Sequence, residues 1–407
     1  MGKMKRAEEG RNRDAVKKMK EGENMKTTWK AVWVLALFLL ASSVCPVFSY
    51  EIDAEQNKRI KDLEEKVSAL KGGGDPESAK KEQEIQALKK EVADIRQALE
   101  ASKSAQTQGK FLNTTYGTLT MKGIVQTQFD QGQHGTPSGT FLVKRARLIF
   151  SGLAPVQKVG YFIQTDATGE IFLLDAKVMF NQIPKTTVNV GRFVPAFTYY
   201  MPRTVADLDF INYPLLVTKY APWRQVGAQI DTKFKYANFN AGIFNGYPAN
   251  GWQDNNPAKD YLGRMEITPF KDFGIFGYRW EGREKPTTGP DAEKNRTGGG
   301  LSLRYKLVNV VGEYVRGYDE SSTKKDSSGY YVNAGVKVLP FWELLCRYDW
   351  FDVDLNKPLD AEDWVTLGTN YFLDGNNLKF SVNYIFKREE GTPIDNDEVL
   401  AQMQVFF

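Results

Sequence analysis

The sequence predicts an all-β fold, a 16-stranded antiparallel transmembrane β-barrel preceded by a short α-helical coiled coil. Three observations carry that expectation. From about Gly117 onward the hydrophobic pattern has a period of two. The chain ends on "EVLAQMQVFF", where Val399, Ala401, Met403, Val405 and Phe407 share one strand face against Leu400, Gln402, Gln404 and Phe406. The composition is 13% aromatic at a mean hydropathy of −0.45. That mixture arises when each strand offers only alternate residues to lipid. A soluble β-sandwich also alternates, but it needs neither so many short strands nor a terminal aromatic. A membrane helix needs about 20 apolar residues in a row. Beyond residue 49 no such run occurs.

The leader is read separately. Lys26 and Lys30 precede the apolar stretch Ala31–Ala41, and Val47, Phe48 and Ser49 mark a cleavage point before Tyr50. Residues 1–49 are therefore expected to be a secretory signal peptide with a misassigned extension, Met25 being the start. A retained anchor fits less well, because Ser42, Ser43 and Pro46 break the stretch. A lipid attachment at Cys45 is opposed by the bulk of Val44. The formal net charge of +4 belongs to this leader, which holds 10 Lys/Arg against 5 Asp/Glu. The rest is balanced, so no nucleic-acid partner is expected. Cys346 is the one cysteine left, which excludes an internal disulfide.

Residues 50–105 read as a periplasmic coiled-coil segment. Ile60, Leu63, Val67 and Leu70 keep the 3-4-3 spacing of a and d positions. After "GGGDPES" the spacing returns at Ile85, Leu88, Val92, Ile95 and Leu99. Asp75 caps the second helix, with Pro76 at its first position. The helices either associate between chains or fold back at Gly72–Gly74; the a and d residues do not fix the strand number.

Residues 106–407 read as the barrel. "LTMKGIVQTQF", "LVKRARLIF" and "NLKFSVNYIFK" alternate strictly, and similar runs begin near Val159, Phe172, Thr187, Gln225, Tyr236, Tyr261, Phe273, Gly299, Val308, Tyr330, Trp342 and Val365. With the C-terminal strand they make sixteen, joined alternately by short turns and longer loops. "MPRTVADLDFINYPLLVTKYAPWR" breaks the alternation for longest and is a candidate to fold inward and narrow the lumen.

The stretches "FLVKRARLIFSG", "LLDAKVMFN", "VNVGRFVPAF", "LLCRYDWFDVD", "VTLGTNYFL" and "QMQVFF" resemble, in that order, strands of the phosphate-selective porin O/P family of outer-membrane proteins. The resemblance covers roughly residues 110–407. It implies a homotrimeric porin of the Gram-negative outer membrane, seated in lipid, with an inward third loop and Arg/Lys residues lining an anion path. It makes Arg145, Arg147, Arg192 and Arg347 candidate pathway residues. Alternation adds Lys122, Arg264, Arg279, Arg304, Lys337 and Lys379 on polar strand faces, and the loop contributes Arg203, Asp207, Asp209 and Lys219.

Such cations suit a pore because an anion shedding water in a narrow, low-dielectric tube needs compensating charge. A guanidinium also grips two oxygens of an oxyanion at once. Asp166, Asp175, Asp231, Glu266, Glu281, Glu313 and Asp349 lie on the same faces, and the barrel region holds 33 basic against 32 acidic residues. That balance favours passive diffusion of small hydrophilic solutes over a dense basic ladder. The alternative is a non-selective porin whose coiled coil acts as an envelope spacer, with peptidoglycan as a further candidate partner. About 28 helical residues from Glu77 to Ser104 would extend roughly 42 Å. No enzyme, cofactor or metal is expected. The one histidine, His134, sits in the polar loop "DQGQHGTPSG" without a triad spacing, and no Cys/His cluster occurs.

Overall fold

The computed structural model describes residues 111–407 except 115–116, 133–138, 156–157, 247–249, 286–290, 321–323 and 393, together with Lys61, Asp62, Glu65, Gln86, Lys89, Val92 and Ala93. Two compact units, Met1–Thr107 and Gln108–Phe407, make up the chain. In the first, those seven residues are helical. The signal peptide, Met25, Cys45 and the heptad positions Ile60, Leu63, Val67, Leu70, Ile85, Leu88, Ile95 and Leu99 lie outside the described residues, as does His134.

The second unit is a closed barrel. After a short lead-in strand β1 (Phe111–Thr114), its wall comprises β2 (Gly117–Gly132), β3 (Thr140–Leu153), β4 (Val159–Asp166), β5 (Phe172–Phe180), β6 (Thr186–Phe193), β7 (Gln225–Lys233), β8 (Ala237–Phe244), β9 (Asp260–Phe270) and β10 (Phe273–Glu281). Past the two-residue β11 (Arg283–Glu284) it continues with β12 (Ala292–Tyr305), β13 (Val308–Glu320), β14 (Lys324–Leu339), β15 (Trp342–Asp352), β16 (Ala361–Asp374), β17 (Leu378–Glu389) and β18 (Glu398–Phe406). Each wall strand pairs antiparallel with its neighbour, and β18 returns to β2 from Glu398↔Gly132 to Phe406↔Ile124. The sixteen wall strands thus leave no free edge.

The expected strand starts at Gly299 and Tyr330 fall inside strands that begin at Ala292 and Lys324. The added segments, "AEKNRTG" and "KKDSSG", are polar. A membrane strand needs about 9–11 residues, so these strands of 14 and 16 residues continue past the apolar band, where alternation of hydrophobicity gives no signal.

Short turns gather at one end with the chain's entry and its C-terminus; the longer loops gather at the other. By the habit of outer-membrane barrels the short-turn end is periplasmic. Its outer rim carries Phe180, Phe234, Tyr236, Phe270, Tyr305, Phe341 and Trp342, all exposed, as an aromatic girdle. Phe407 belongs to the same rim, 57% exposed beside Val405. Phe407 is exposed there because that strand face is the one turned to lipid.

The longest excursion, residues 194–224 between β6 and β7, turns inward. Its Phe197, Leu216 and Val217 are fully buried, and Tyr200, Met201, Leu208 and Leu215 nearly so. They pack on inward aromatics of the wall, among them Phe244, Phe276, Tyr278, Trp280, Tyr331 and Phe351. Phe197 meets Tyr278 edge-on at 4.6 Å, and Phe244 stacks on Trp280 at 5.4 Å. One sector of the lumen is therefore a solid hydrophobic core. Within the loop, Thr204 caps a single 3-10 turn, Val205–Asp207, and Pro214 starts the short helix α1 (Leu215–Tyr220).

Candidate solute pathway

Polar bonds fasten the loop to the wall from β13 to β18. Tyr199 N donates to Glu313 Oε1 (3.1 Å), Leu215 N to Asp349 Oδ1 (2.9 Å) and Ile211 N to Asn383 Oδ1 (2.8 Å). Wall donors reach back: Asn370 Nδ2 to Asp209 O (2.8 Å), Lys379 Nζ to Leu208 O (2.8 Å) and Asn376 Nδ2 to Asp207 Oδ1 (3.0 Å). Asn376 lies in the short β16–β17 turn, so the loop descends to the periplasmic end before rising again.

Across from this anchorage stands the wall β2–β6, which turns a set of polar residues inward beside Ile124, Phe162 and Phe193. Gln126 and Gln128 on β2, Arg145 and Arg147 on β3, Gln164 and Asp166 on β4, and Asp175 on β5 are buried or nearly so. Arg147 Nε pairs with Asp166 Oδ2 at 2.9 Å, its register partner. Arg145 meets an amide instead, Nη1 donating to Gln126 Oε1 at 2.7 Å. Arg192 on β6 spends its guanidinium on the carbonyls of Leu174, Asn250 and Gly251 and lies 4.1 Å over the Trp252 ring. Arg224, the last loop residue, pairs with Asp175 at 3.1 Å.

These groups share one field. Burial pushes the loop phenol of Tyr213 up, while Arg145, Arg147 and Arg224 pull it down. Burial lowers the Arg224 guanidinium's pKa, opposed by Asp175 and reinforced by Arg147. Three guanidiniums, Arg145, Arg147 and Arg224, thus stand with two carboxylates where Tyr213 of the loop faces the β3–β5 wall. Arg192, opposite Ala176 and Val226 in phase with the outward Val190, lies apart under the β8–β9 loop.

The other expected residues divide. Arg347 is sealed: Nε bonds Asp349 Oδ2 at 2.6 Å, Nη1 reaches Asn212 O at 3.0 Å, and the group sits over Phe210. Lys379 is likewise buried in loop carbonyls. Arg264 pairs with Glu266 at 3.0 Å beneath Phe276. Arg304 is exposed, on the inward phase of β12, and Lys337 lies 5.3 Å over Phe372 near the short-turn end. Lys122 is half-buried on the inward phase of β2. In the loop, Arg203 covers the Tyr199 ring at 4.0 Å, Asp209 accepts from Tyr200 Oη, and Lys219 pairs with Glu362 at 2.7 Å.

Arg279 requires a correction, and Glu281 with it. They pair with each other at 2.6 Å on the outer face, 60% and 54% exposed, in phase with the exposed Ile275. The expected assignment put polar residues inward. On β10 the phase is reversed, because Phe276, Tyr278 and Trp280 are needed inside to hold the loop. A second correction concerns β3. A register shift between Gln126 and Thr127 places Arg145 opposite Gln126 but Val143 opposite Thr127. Lys144 is the extra residue, and Val143 turns outward, 50% exposed, instead of sharing Arg145's face.

Sequence reading did not single out Arg224, Gln126 or Tyr213. Arg224 and Tyr213 lie in a loop, where strand phase says nothing about direction. Gln126 was visible on the inward face, but nothing in one strand names its cross-strand partner.

The family model for the phosphate-selective porins O and P matches residues 126–307 and 309–407. No curated protein matches the chain. Among solved structures, the loop-L8 deletion mutant of OmpT from Vibrio cholerae aligns at 13% identity with a TM-score of 0.56, covering 72% of this chain and all of that one. Salmonella typhi OmpF in complex with daunomycin aligns at 12% identity and a TM-score of 0.55, over 73% of this chain and all of its own. At such identity these two attest the fold. The family match spans most of the barrel region, and the chain belongs to the phosphate-selective porin O and P family as an outer-membrane porin.

Proposed function

We propose that this porin passes small hydrophilic solutes passively with a preference for small anions, oxyanions such as phosphate among them. The arginine cluster is the observation that carries this reading. Three arginines, Arg145, Arg147 and Arg224, stand with two carboxylates, Asp166 and Asp175, whereas Arg264 and Arg347 are each matched by a carboxylate elsewhere on the wall. An excess of fixed positive charge at a narrow, water-poor place favours anions by lowering their dehydration cost. Lys122, Arg304 and Lys337 add positive charge nearer the short-turn end, an entry field rather than a filter.

The test is the reversal potential of planar-bilayer channels under a salt gradient, with chloride and then phosphate. Anion preference that falls in the Arg145→Ala, Arg147→Ala double variant is expected. Cation preference in the wild type, or a ratio untouched by the double variant, defeats the reading. Equal permeation of both ion signs leaves a general diffusion porin.

The reading extends to the assembly. Residues 1–49 are removed before Tyr50, and residues 50–105 form a coiled coil in the periplasm that helps assemble or orient a homotrimer, with peptidoglycan within its reach. The wall supports self-association: β4 to β8 have only eight or nine residues each, below or at the lower end of the roughly 9–11 that span a bilayer. That low side suits burial against a neighbouring copy better than lipid. Crosslinking a variant lacking residues 50–105 separates assembly from tethering, since an unchanged, equally heat-stable trimer leaves the segment only a tethering role.

A further inference from the structure

We infer that Gln126 is a specificity-determining residue, which holds Arg145 in the pathway without giving it a carboxylate partner of its own. The inference rests on the anion preference proposed above and says which side chain makes it possible.

Among the described residues, five inward-facing arginines have carboxylate partners: Arg147 with Asp166, Arg224 with Asp175, Arg264 with Glu266, Arg296 with Asp319 and Arg347 with Asp349. Arg145 is as deeply placed, 9% exposed, yet its side-chain partner is an amide. A buried guanidinium needs acceptors, and a carboxylate is the commoner choice because it also cancels the charge. An amide oxygen fixes the direction of the fork and cancels nothing.

Gln126 is itself held rigidly. It is 1% exposed, its Nε2 donates to Gln404 Oε1 at 2.7 Å across the β2–β18 seam, and Gln404 Nε2 donates to Ala206 O of the inward loop at 3.2 Å. This chain sets Gln126's amide orientation: with Nε2 committed to Gln404, Oε1 must face Arg145. The loop, the closing seam and the arginine are therefore joined by three hydrogen bonds in series. Because Arg145 lies next to a register shift, with Lys144 as the extra residue, its direction is not secured by simple strand geometry, and the amide supplies what the ladder does not.

The experiment exploits the near-identity of shape between Gln and Glu. Gln126→Glu turns Arg145's neutral acceptor into a carboxylate, and the anion-to-cation permeability ratio should fall about three-fold or more. The same substitution one inward position along the strand, Gln128→Glu, adds an equal charge without an arginine bond and should lower the ratio less. In an Arg145→Gln background, Gln126→Glu should lose most of its effect. Lowering the pH far enough to protonate the introduced carboxylate should restore the ratio in the single variant. Single-channel conductance and heat-resistant migration on gels confirm that each variant folds. If the wild type is anion-selective and Gln126→Glu acts no more strongly than Gln128→Glu, or equally with and without Arg145, the inference is overturned. If the wild type shows no anion preference at all, it is the underlying reading of the pore that fails.

Discussion

Arg347 and Asp349 stand two residues apart on β15, both turned into the barrel, with Nε and Oδ2 2.6 Å apart and exposures of 1% and 0%. Neither is free to meet a solute. Asp349 also accepts from Leu215 N and Arg347 donates to Asn212 O, so the pair is a clasp on the inward loop. The field of the lumen feels it as a neutral dipole.

Removing one half of the clasp is expected to be costly. Arg347→Ala leaves a buried carboxylate unpaired, a loss of about 3–5 kcal/mol, visible as a lower unfolding temperature of the purified porin. Replacing both, Arg347→Met with Asp349→Leu, should recover most of that stability. The double variant should also keep the wild-type ion selectivity. A selectivity change in the double variant would return Arg347 to the solute path.

A second prediction concerns the loop's lowest point. Lys379 donates to the carbonyls of Leu208 and, at 3.4 Å, Ala206; in Lys379→Met, Ala206 O keeps its bond from Gln404 Nε2 while Leu208 O loses its side-chain donor. An orphaned carbonyl costs about 1–3 kcal/mol, enough to loosen residues 205–209 without unfolding the barrel. Open-channel current noise should rise and mean conductance with it. A quiet channel of unchanged conductance would mean that the aromatic core alone fixes the loop.

Much of the barrel was legible in the sequence because lipid imposes one rule on every strand: apolar residues must recur with period two on the outside. The inward face obeys no such rule. It is largely polar on β2–β5, where alternation turns Gln126, Arg147 and Asp166 inward, and aromatic on β10, where it misplaces Arg279. The difference is made by residues 194–224, which pack against one sector and not the other. A long-range contact of that kind leaves no mark on the local pattern of β10. Nor does alternation show the extra residue at Lys144, since a bulge changes phase without changing composition.

At the closing seam, Gly123 and Phe407 exchange backbone hydrogen bonds of 2.6 and 2.9 Å, and the Phe407 ring lies over the glycine. A Cβ at Gly123 would come within 2.4 Å of the ring's Cζ. Gly123→Val should therefore swing the terminal aromatic off its seat, at about 1–3 kcal/mol for overpacking. Folding into liposomes, followed by the fraction of heat-resistant band with time, should slow. Phe407→Ala should behave alike, and the double variant should be little worse than either single one, since both remove the same contact. Additive effects would show that the ring and the glycine act independently.

The loop's return limb gives a pH dependence. Tyr220, at the end of α1, donates to Ser327 Oγ at 2.9 Å, and burial pushes its phenol up to about 12. An exposed tyrosine ionises near 10. Below pH 10 both the docked and the undocked loop hold this proton, and the docked state has its full stability. Between about 10 and about 12 the undocked phenol gives up its proton while the docked one keeps it, so docking weakens steadily as pH rises. Conductance of the wild type should become noisier over that range, and the change should reverse on return to neutral pH. In Tyr220→Phe the contribution of this group disappears: docking is weaker at neutral pH by the lost hydrogen bond, about 1 kcal/mol, and the remaining alkaline dependence is shallower. An alkaline noise profile identical in Tyr220→Phe and wild type would assign the effect to other groups.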